Sequence, residues 1–326
     1  LEVEIYRQTA ILLDLPTAAA LTILQMGGVL VLLLASARAQ EGLAVQQRLR
    51  GSSETARPPR AGRERALVTV ILAATVLFMF LPLAVLVERS LAAPDGLGLA
   101  AYGSLLEADP RTRLTAAPWE SVLASLRFAL ATTLIAGSMG LMAALVVGYR
   151  RGWLARGLDA LVMLPLGTSA VIVGFGFLVS LDSPPLDLRT SILLIPIAHA
   201  LIALPFVMRS VVPVVRSIDD RLRVAAAVLG ASPRRAWREV DAPILARAAL
   251  VGAGFAFAVS LGEFGATLFI ARPDTVTLPV AIFRLLGQPG AANVATAMAL
   301  AVVLMILTAS AVLLIERLRG GGPQPF

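Results

Sequence analysis

The stretch RSIDDRLRVAAAVLGASPRRAWREVDAPILARA, Arg216 to Ala248, is a polar island between two long apolar runs. Its spacing reads as two short helices joined by a turn. Asp219 is placed to cap the first helix, Gly230 supplies a stop, and Ser232 followed by Pro233 is an N-cap and first-turn signature for the second. Ala225, Ala226 and Ala227 allow close backbone approach, Leu222 and Leu229 extend an apolar face, and Trp237 is a large knob on the second helix. Such a knob suits a groove on a partner protein. An Arg-rich amphipathic segment also suits an anionic lipid surface, and both readings stand at this point.

The flanks decide what kind of chain carries this island. Hydrophobic residues make up 58% of it and charged ones 15%, and the mean hydropathy is +0.83. That composition belongs to an integral membrane protein. Several apolar stretches reach the roughly 20 residues that a helix needs to cross the hydrocarbon layer. The expected fold class is therefore all-α, a multispan helical bundle rather than a barrel. Candidate spans are Thr17–Ser36, Leu67–Val87, Val122–Gly148, Leu158–Leu181, Ser191–Val212, Ala248–Ala271 and Ala292–Ile315. Pro82, Pro165, Pro196 and Pro205 fall inside or near span ends, where kinks are expected rather than breaks.

Orientation follows from the basic residues, all 28 of which are Arg. With Thr17–Ser36 running inward, the loops 37–66, 149–157 and 213–247 and the tail after Ile315 share one side and hold most of the Arg. Positive charge retains loops in the cytoplasm, so these segments, the island and the C-terminus are expected inside. Arg7, Arg89, Arg111, Arg113, Arg189, Arg272 and Arg284 lie on the other side, with Arg127 just inside a span. The net charge of +7 is accounted for by this asymmetry, and no nucleic-acid partner is implied.

Residues 37–66 read as an Arg-rich cytoplasmic linker that separates one helix from six. Leu1–Arg7, LEVEIYR, and Leu278–Arg284, LPVAIFR, share the pattern Leu, any, Val, any, Ile, aromatic, Arg, and each precedes a long apolar run. Repeats of this kind mark the related halves of transporters. Residues 1–36 are thus expected to be the last element of a first half whose beginning lies upstream. Residues 67–319 are then a six-helix second half with the loop 213–247 inside it, and 320–326 a tail.

Several chemistries are excluded. The chain has no Cys, one His and no Lys, so thiolate metal sites, a His-rich metal centre and the GxxxxGK[ST] phosphate loop cannot be built. Neither a metal site nor a catalytic residue is expected, and any ATP hydrolysis must come from another chain. His199 lies in the apolar context LLIPIAHALIALPF and reads as a satisfied or pathway-lining residue. Glu263 is an ionisable group in an apolar run, read either as a gate or pathway group or as a carboxylate that caps a turn or pairs with Arg272. In LGTSAVIVGFGFL, Leu166 to Leu178, the small residues Gly167, Ser169, Gly174 and Gly176 permit tight helix packing or a widened path beside Phe175. An ion-coupled secondary transporter or a multispan enzyme would use Glu263, Asp159 and His199 as titratable groups, yet no series of carboxylates connects the two faces. A channel would need a ring of filter residues, and none is recognisable.

The island also resembles the EAA loop of binding-protein-dependent ABC importer permeases. That pattern is Glu-Ala-Ala, three residues, Gly, nine residues, Ile, one residue, Leu-Pro, and here Ala225, Ala226, Gly230, Val240 and Pro243 match it. Val224 stands in place of the Glu, Val240 of the Ile and Ala242 of the Leu. The stretch SLGEFGATLFIARPDTVTLPVAIF, Ser260 to Phe283, and the two-half arrangement are similar to the double-length permeases that import ferric iron or thiamine, and its acidic-aromatic-glycine step Glu263, Phe264, Gly265 recurs in related permeases. The resemblance implies an importer-permease core with a cytoplasmic coupling helix-turn-helix. It implies no bound cofactor on this chain, with ATP and Mg on separate ATP-binding subunits, and an extracytoplasmic solute-binding protein as a further partner. It also implies a multi-pass location in the bacterial cytoplasmic membrane and no enzymatic activity of the chain itself.

Overall fold

In a computed structural model of the chain, residues 1–12, 14–42, 62–93, 96–108, 114, 116–150, 152–181 and 187–320 are described. Most of the 37–66 linker and all but the first residue of the 320–326 tail lie outside these residues. The elements are almost all helical: α1 (Glu2–Tyr6, continuing as a π turn Arg7–Ile11), α2 (Leu15–Gly42), α3 (Gly62–Ser90), α4 (Ala100–Gly103), α5 (Pro118–Tyr149), α6 (Trp153–Gly167), α7 (Ala170–Ser180), α8 (Leu194–Ser217), α9 (Asp220–Val228), α10 (Pro233–Ala236), α11 (Ala242–Gly262), α12 (Gly265–Ile270), α13 (Leu278–Leu286) and α14 (Ala291–Gly320). A two-residue hairpin, β1 (Ala92–Ala93) with β2 (Gly96–Leu97), is antiparallel with Ala92 opposite Leu97.

Among the described residues six helices are long and apolar enough to span a bilayer, and seven spans result if one bent pair is counted as one. That pair corrects the expected straight span Leu158–Leu181: α6 and α7 meet at 104°. Thr168 is extended at the corner and its hydroxyl donates to the Leu164 carbonyl at 2.9 Å, while the Ser169 hydroxyl accepts from the Val171 N–H at 3.2 Å. The corner's orphaned backbone groups are therefore partly met by side chains, which is the condition for irregular backbone at membrane depth.

The expected span Ala248–Ala271 is also interrupted. α11 ends at Gly262, Glu263 is extended, and α12 starts again at Gly265. On its other side α11 reaches further than expected. α10 runs through a π turn, Trp237–Asp241, directly into α11, so the second short helix of the island and the following span form one continuous 30-residue helix. Pro243 has no N–H for an i−4 bond, and the π turn, in which the Ala242 N–H bonds the Trp237 carbonyl, takes up the mismatch just before it. At the chain's start α2 continues past Ser36 to Gly42, since Ala, Arg, Gln and Glu all favour helix.

The core is a three-helix unit of α5, α8 and α11, with α14 packed on α11 and α3 on α14. Small residues set its spacing. A Cβ on Gly140 of α5 would lie 2.7 Å from the Val207 side chain of α8, and one on Gly252 of α11 would lie 3.0 Å from the Val207 Cα. Val207 is fully buried between them, so glycines on two helices admit one β-branched knob from the third. α3 remains largely exposed in the single chain, with Phe78, Met79 and Phe80 all pointing out. This suits a helix facing lipid, where apolar exposure carries no cost.

Candidate functional site

Two sites emerge, one at the end of the bundle and one at the level of the helix breaks. At the first, Asp219 is the N-cap of α9 and its carboxylate accepts from the Arg221 N–H at 2.9 Å. Gly230 ends α9 with φ +83°, a left-handed conformation that glycine takes without steric cost. Ser232 then stands at the N-cap of α10 with Pro233 in its first turn, although the Ser232 side chain makes no capping bond.

One ion pair fixes the angle between the two arms. The Arg223 guanidinium of α9 grips the Asp241 carboxylate of the π turn with contacts of 2.7, 3.1 and 3.1 Å. Arg223 also bonds Asp220 and lies over the Tyr149 ring of α5 at 5.3 Å. The Asp241 side chain is 2% exposed and the Arg223 side chain 30%. Hydrogen bonding to Asp241 holds the Arg223 guanidinium above its already high range, so it stays charged at every accessible pH. From α8, the Arg216 guanidinium donates to the Val147 carbonyl near the end of α5 at 3.4 Å. The island is thus anchored to the core bundle by charge and not only by chain connectivity. Reading the sequence missed this clamp, because its partners are 18 residues apart and meet only across the turn.

The clamp leaves an apolar surface facing outward. Leu222 is 48% exposed, Val224 62%, Leu229 88% and Trp237 46%. Ala225 and Pro243 are partly or fully open, and Ala226 and Val240 lie half-buried. Val224, which replaces the Glu of the resembling pattern, belongs to this surface. A cavity of about 460 Å³ opens beside it, lined by Tyr149, Arg223, Ala227, Pro233, Trp237 and Asp241.

The second site lies where the two broken helices cross. A Cβ on Gly174 of α7 would meet the Ala266 backbone of α12 at 2.5 Å, and one on Gly265 would meet Ala170 and Val171 at 3.1 Å. By contrast, nothing lies within 4 Å of such an atom on Gly176. Phe175 is buried, 3% exposed, and meets Phe269 edge-on at 6.4 Å. Phe264 stacks tilted on Phe283 of α13 at 5.2 Å. Ser169 is taken up in capping α7.

Glu263 is 9% exposed, and its Oε1 accepts from the Ala266 N–H at 2.9 Å, so it caps the restarted helix α12. Arg272 is turned elsewhere: it pairs with Asp274 at 3.0 Å and donates to the Arg189 carbonyl at 2.9 Å. Of the alternatives for Glu263, the geometry is that of a cap rather than a pair with Arg272.

His199, 1% exposed, ties the same region together. Its Nδ1 is 2.8 Å from the Ser260 hydroxyl and its Nε2 is 2.6 Å from the Thr267 hydroxyl. Ser260 in turn donates to Thr132 at 3.2 Å, and Thr132 to the Pro196 carbonyl at 3.4 Å. A proton on Nδ1 fits Ser260 donating onward to Thr132, and Thr267 then donates to Nε2 in preference to the Glu263 carbonyl 3.3 Å away. Four helices, α5, α8, α11 and α12, therefore meet at one imidazole immediately beside the break at Glu263. Among the described residues no cluster of His, Cys, Asp or Glu could hold a metal ion.

A multispan bundle with a clamped helix-turn-helix at one end and paired helix breaks inside it is the architecture of a membrane permease. The chain belongs to the family described as "Binding-protein-dependent transport system inner membrane component", which matches residues 136–319. It is 30% identical over 249 residues to a protein of Salmonella typhimurium named as the 2-aminoethylphosphonate transport system permease protein PhnV, covering 74% of this chain and 90% of that one. It is 32% identical over 207 residues to the molybdenum transport system permease protein ModB of Mycobacterium tuberculosis, covering 59% of this chain and 76% of that one. Its fold is similar to a crystal structure of a bacterial ABC transporter involved in the import of the acidic polysaccharide alginate, with TM-score 0.60 and 19% identity over 78% of this chain and 96% of that one. The chain is thus a transmembrane permease subunit of the ABC importer class.

Proposed function

We propose that this chain forms one side of a solute path across the bacterial cytoplasmic membrane and is driven by separate ATP-binding subunits, which hold the ATP and Mg. The observation that carries this reading is the exposed apolar surface of Leu222, Leu229 and Trp237 on a helix-turn-helix pinned by Arg223 and Asp241. A pinned, protruding knob passes a partner's motion into α5, α8 and α11, whereas a loosely tethered loop would absorb it. In this reading the island, the linker and the C-terminus are cytoplasmic, and an extracytoplasmic solute-binding protein delivers cargo to the opposite end.

For cargo, ferric iron or thiamine is the proposal from the resemblance of Ser260–Phe283, while the names of the relatives point to 2-aminoethylphosphonate and molybdenum. Among the described residues no grouping of side chains singles out one of these. Selectivity then rests mainly on the solute-binding protein. The competing reading of a proton-coupled transporter is weakened by the commitments of its groups: Glu263 caps α12 and His199 is saturated by hydroxyls.

The test is ATP turnover by the chain assembled with its ATP-binding subunits. Gly230→Pro forces φ to about −65° where +83° is needed, and Trp237→Ala removes the knob. Both are expected to abolish solute-stimulated turnover while membrane insertion is unchanged; normal stimulation in both would overturn the coupling role.

A further inference from the structure

At the end of the bundle opposite the island, a cavity of about 840 Å³ lies between the last turn of α3, the short helix α4 and the first turns of α14. Ala92, Ala101, Ala295 and Leu285 give it an apolar wall. Its uncharged polar groups are committed within the protein. The Ser104 and Thr296 hydroxyls are 2.9 Å apart and reach the Ala101 and Ala292 carbonyls, and the Asn293 amide donates to the Pro289 carbonyl at 2.9 Å. The two charged groups that line the cavity are not committed. Arg89 and Glu107 are both exposed, and neither side chain has a hydrogen-bond or ion-pair partner among the described residues, the other included. One and two turns further into the membrane from Arg89, Val85 and Leu81 continue the same face of α3, 37% and 55% exposed. An apolar track thus leads from hydrocarbon depth up to a cation, with a carboxylate across the cavity from it.

We propose that this cavity seats the headgroup of one phosphatidylethanolamine molecule, with its phosphate on Arg89, its ammonium on Glu107 and its acyl chains along Val85 and Leu81. A cation and an anion that line one cavity without pairing call for a ligand that carries both charges, joined by a short link. The phosphate and ammonium of this headgroup are held apart by an ethylene bridge, so a single molecule answers both. Other phospholipids answer one charge only. A phosphatidylglycerol satisfies Arg89 and sets a second negative charge against Glu107, and a phosphatidylcholine ammonium has no N–H to donate to the carboxylate. A seated lipid ties the peripheral helix α3 to α4 and α14 at the level of the headgroups. It depends on no particular cargo and on no ATP-binding subunit, so the transport reading can fail without it and it can fail without the transport reading.

The test is native mass spectrometry of the assembled transporter, released from nanodiscs made of equal parts phosphatidylethanolamine, phosphatidylcholine and phosphatidylglycerol. Wild type is expected to retain phosphatidylethanolamine at least about fivefold over either other lipid, and the double variant Arg89→Gln, Glu107→Gln to lose that preference. Ala292→Trp fills the cavity from an exposed position and is expected to lose the bound lipid with both charges intact. Glu107→Arg makes the pair doubly cationic and is expected to turn the preference to phosphatidylglycerol, a result that a variant merely damaged in folding would not give. Equal retention of the three lipids by wild type, or unchanged phosphatidylethanolamine retention in the double variant, means surrounding bilayer lipid only and overturns the inference. Capture of the solute-binding protein is scored on the same samples. If the double variant loses that capture while lipid retention is unchanged, the cavity belongs to a protein contact and the inference falls.

Discussion

At the scale of single residues, the Arg223–Asp241 pair controls the site, because Asp241 is nearly dry and its charge is met by the Arg223 guanidinium. Removing one member of a buried ion pair leaves the other uncompensated, at a cost of roughly 3–5 kcal/mol, and the 30% exposure of Arg223 puts the pair toward the low end. Arg223→Ala is therefore expected to lower the thermal midpoint of the detergent-solubilised protein and to reduce coupled ATP turnover. Arg223→Lys preserves the charge but not the planar fork that grips both carboxylate oxygens and covers Tyr149. It is expected to fall between Ala and wild type in both assays. Equality of Lys with wild type would reduce the clamp to a point charge. His199 is the other residue on which several helices depend. His199→Leu removes the ring partner of Ser260 and Thr267 in an apolar interior; because Ser260 keeps Thr132 and Thr267 keeps the Glu263 carbonyl, the loss is about 1 kcal/mol per group, the low end of the range for a buried polar group. The expected readout is earlier melting with no change in which pH supports transport, the latter being the result that separates a tie from a proton carrier.

At the scale of elements, the crossing of α7 and α12 sets the sharpest contrast. Gly174→Val places side-chain atoms where the Ala266 backbone already lies, and overpacking of this kind costs about 1–3 kcal/mol or more when the obstacle is backbone. Gly176→Val, two residues on, meets open space. The first is expected to lower the yield of folded protein in mild detergent severalfold and the second to leave it unchanged; similar behaviour of the two would mean that the crossing is not tight. The elements themselves were largely legible in the sequence. Apolar length reveals a spanning helix, because the bilayer demands it, and Asp219, Gly230 and Pro233 announced the turn of the island through local backbone chemistry. The breaks were not legible. Thr168–Ser169 and Glu263–Phe264 sit inside predominantly apolar runs, and hydropathy records only the environment of a segment, which is the same for a straight and a broken span; only Glu263, offered as a carboxylate that caps a turn, hinted at one of them. The π turn before Pro243 was hidden for a related reason, since a proline announces a missing hydrogen bond but not how the backbone will absorb it. The Arg223–Asp241 clamp and the hydroxyls around His199 depend on three-dimensional meeting of distant positions, which no local pattern encodes.

At the scale of the whole molecule, the remaining question is which end of the bundle faces the cytoplasm, and charge supports the proposed answer. The end that carries the island also carries Arg150, Arg156, Arg216, Arg221, Arg234, Arg235 and Arg238, while the opposite end gathers acidic residues such as Glu107, Glu120, Asp187 and Asp274 beside fewer Arg. Translocating an arginine-rich loop is disfavoured for short loops near span ends, which is the ground for the proposal that the island stays inside. A protein without cysteine allows this to be measured with single substitutions and no background. Ser232 is exposed at the turn of the island and makes no side-chain cap bond, and Thr190 is exposed in the loop before α8, so Ser232→Cys and Thr190→Cys should both fold normally. A membrane-impermeant maleimide added to spheroplasts is expected to label Thr190→Cys at once and Ser232→Cys only after permeabilisation. The reverse pattern would place the helix-turn-helix outside, out of reach of any cytoplasmic ATP-binding subunit, and would remove the coupling role while leaving the fold and the family untouched. Because the Arg216–Val147 contact and the Arg223–Tyr149 contact tie the island to the end of α5, the labelled side of position 232 also fixes the direction of α5, and with it that of the helices packed along it.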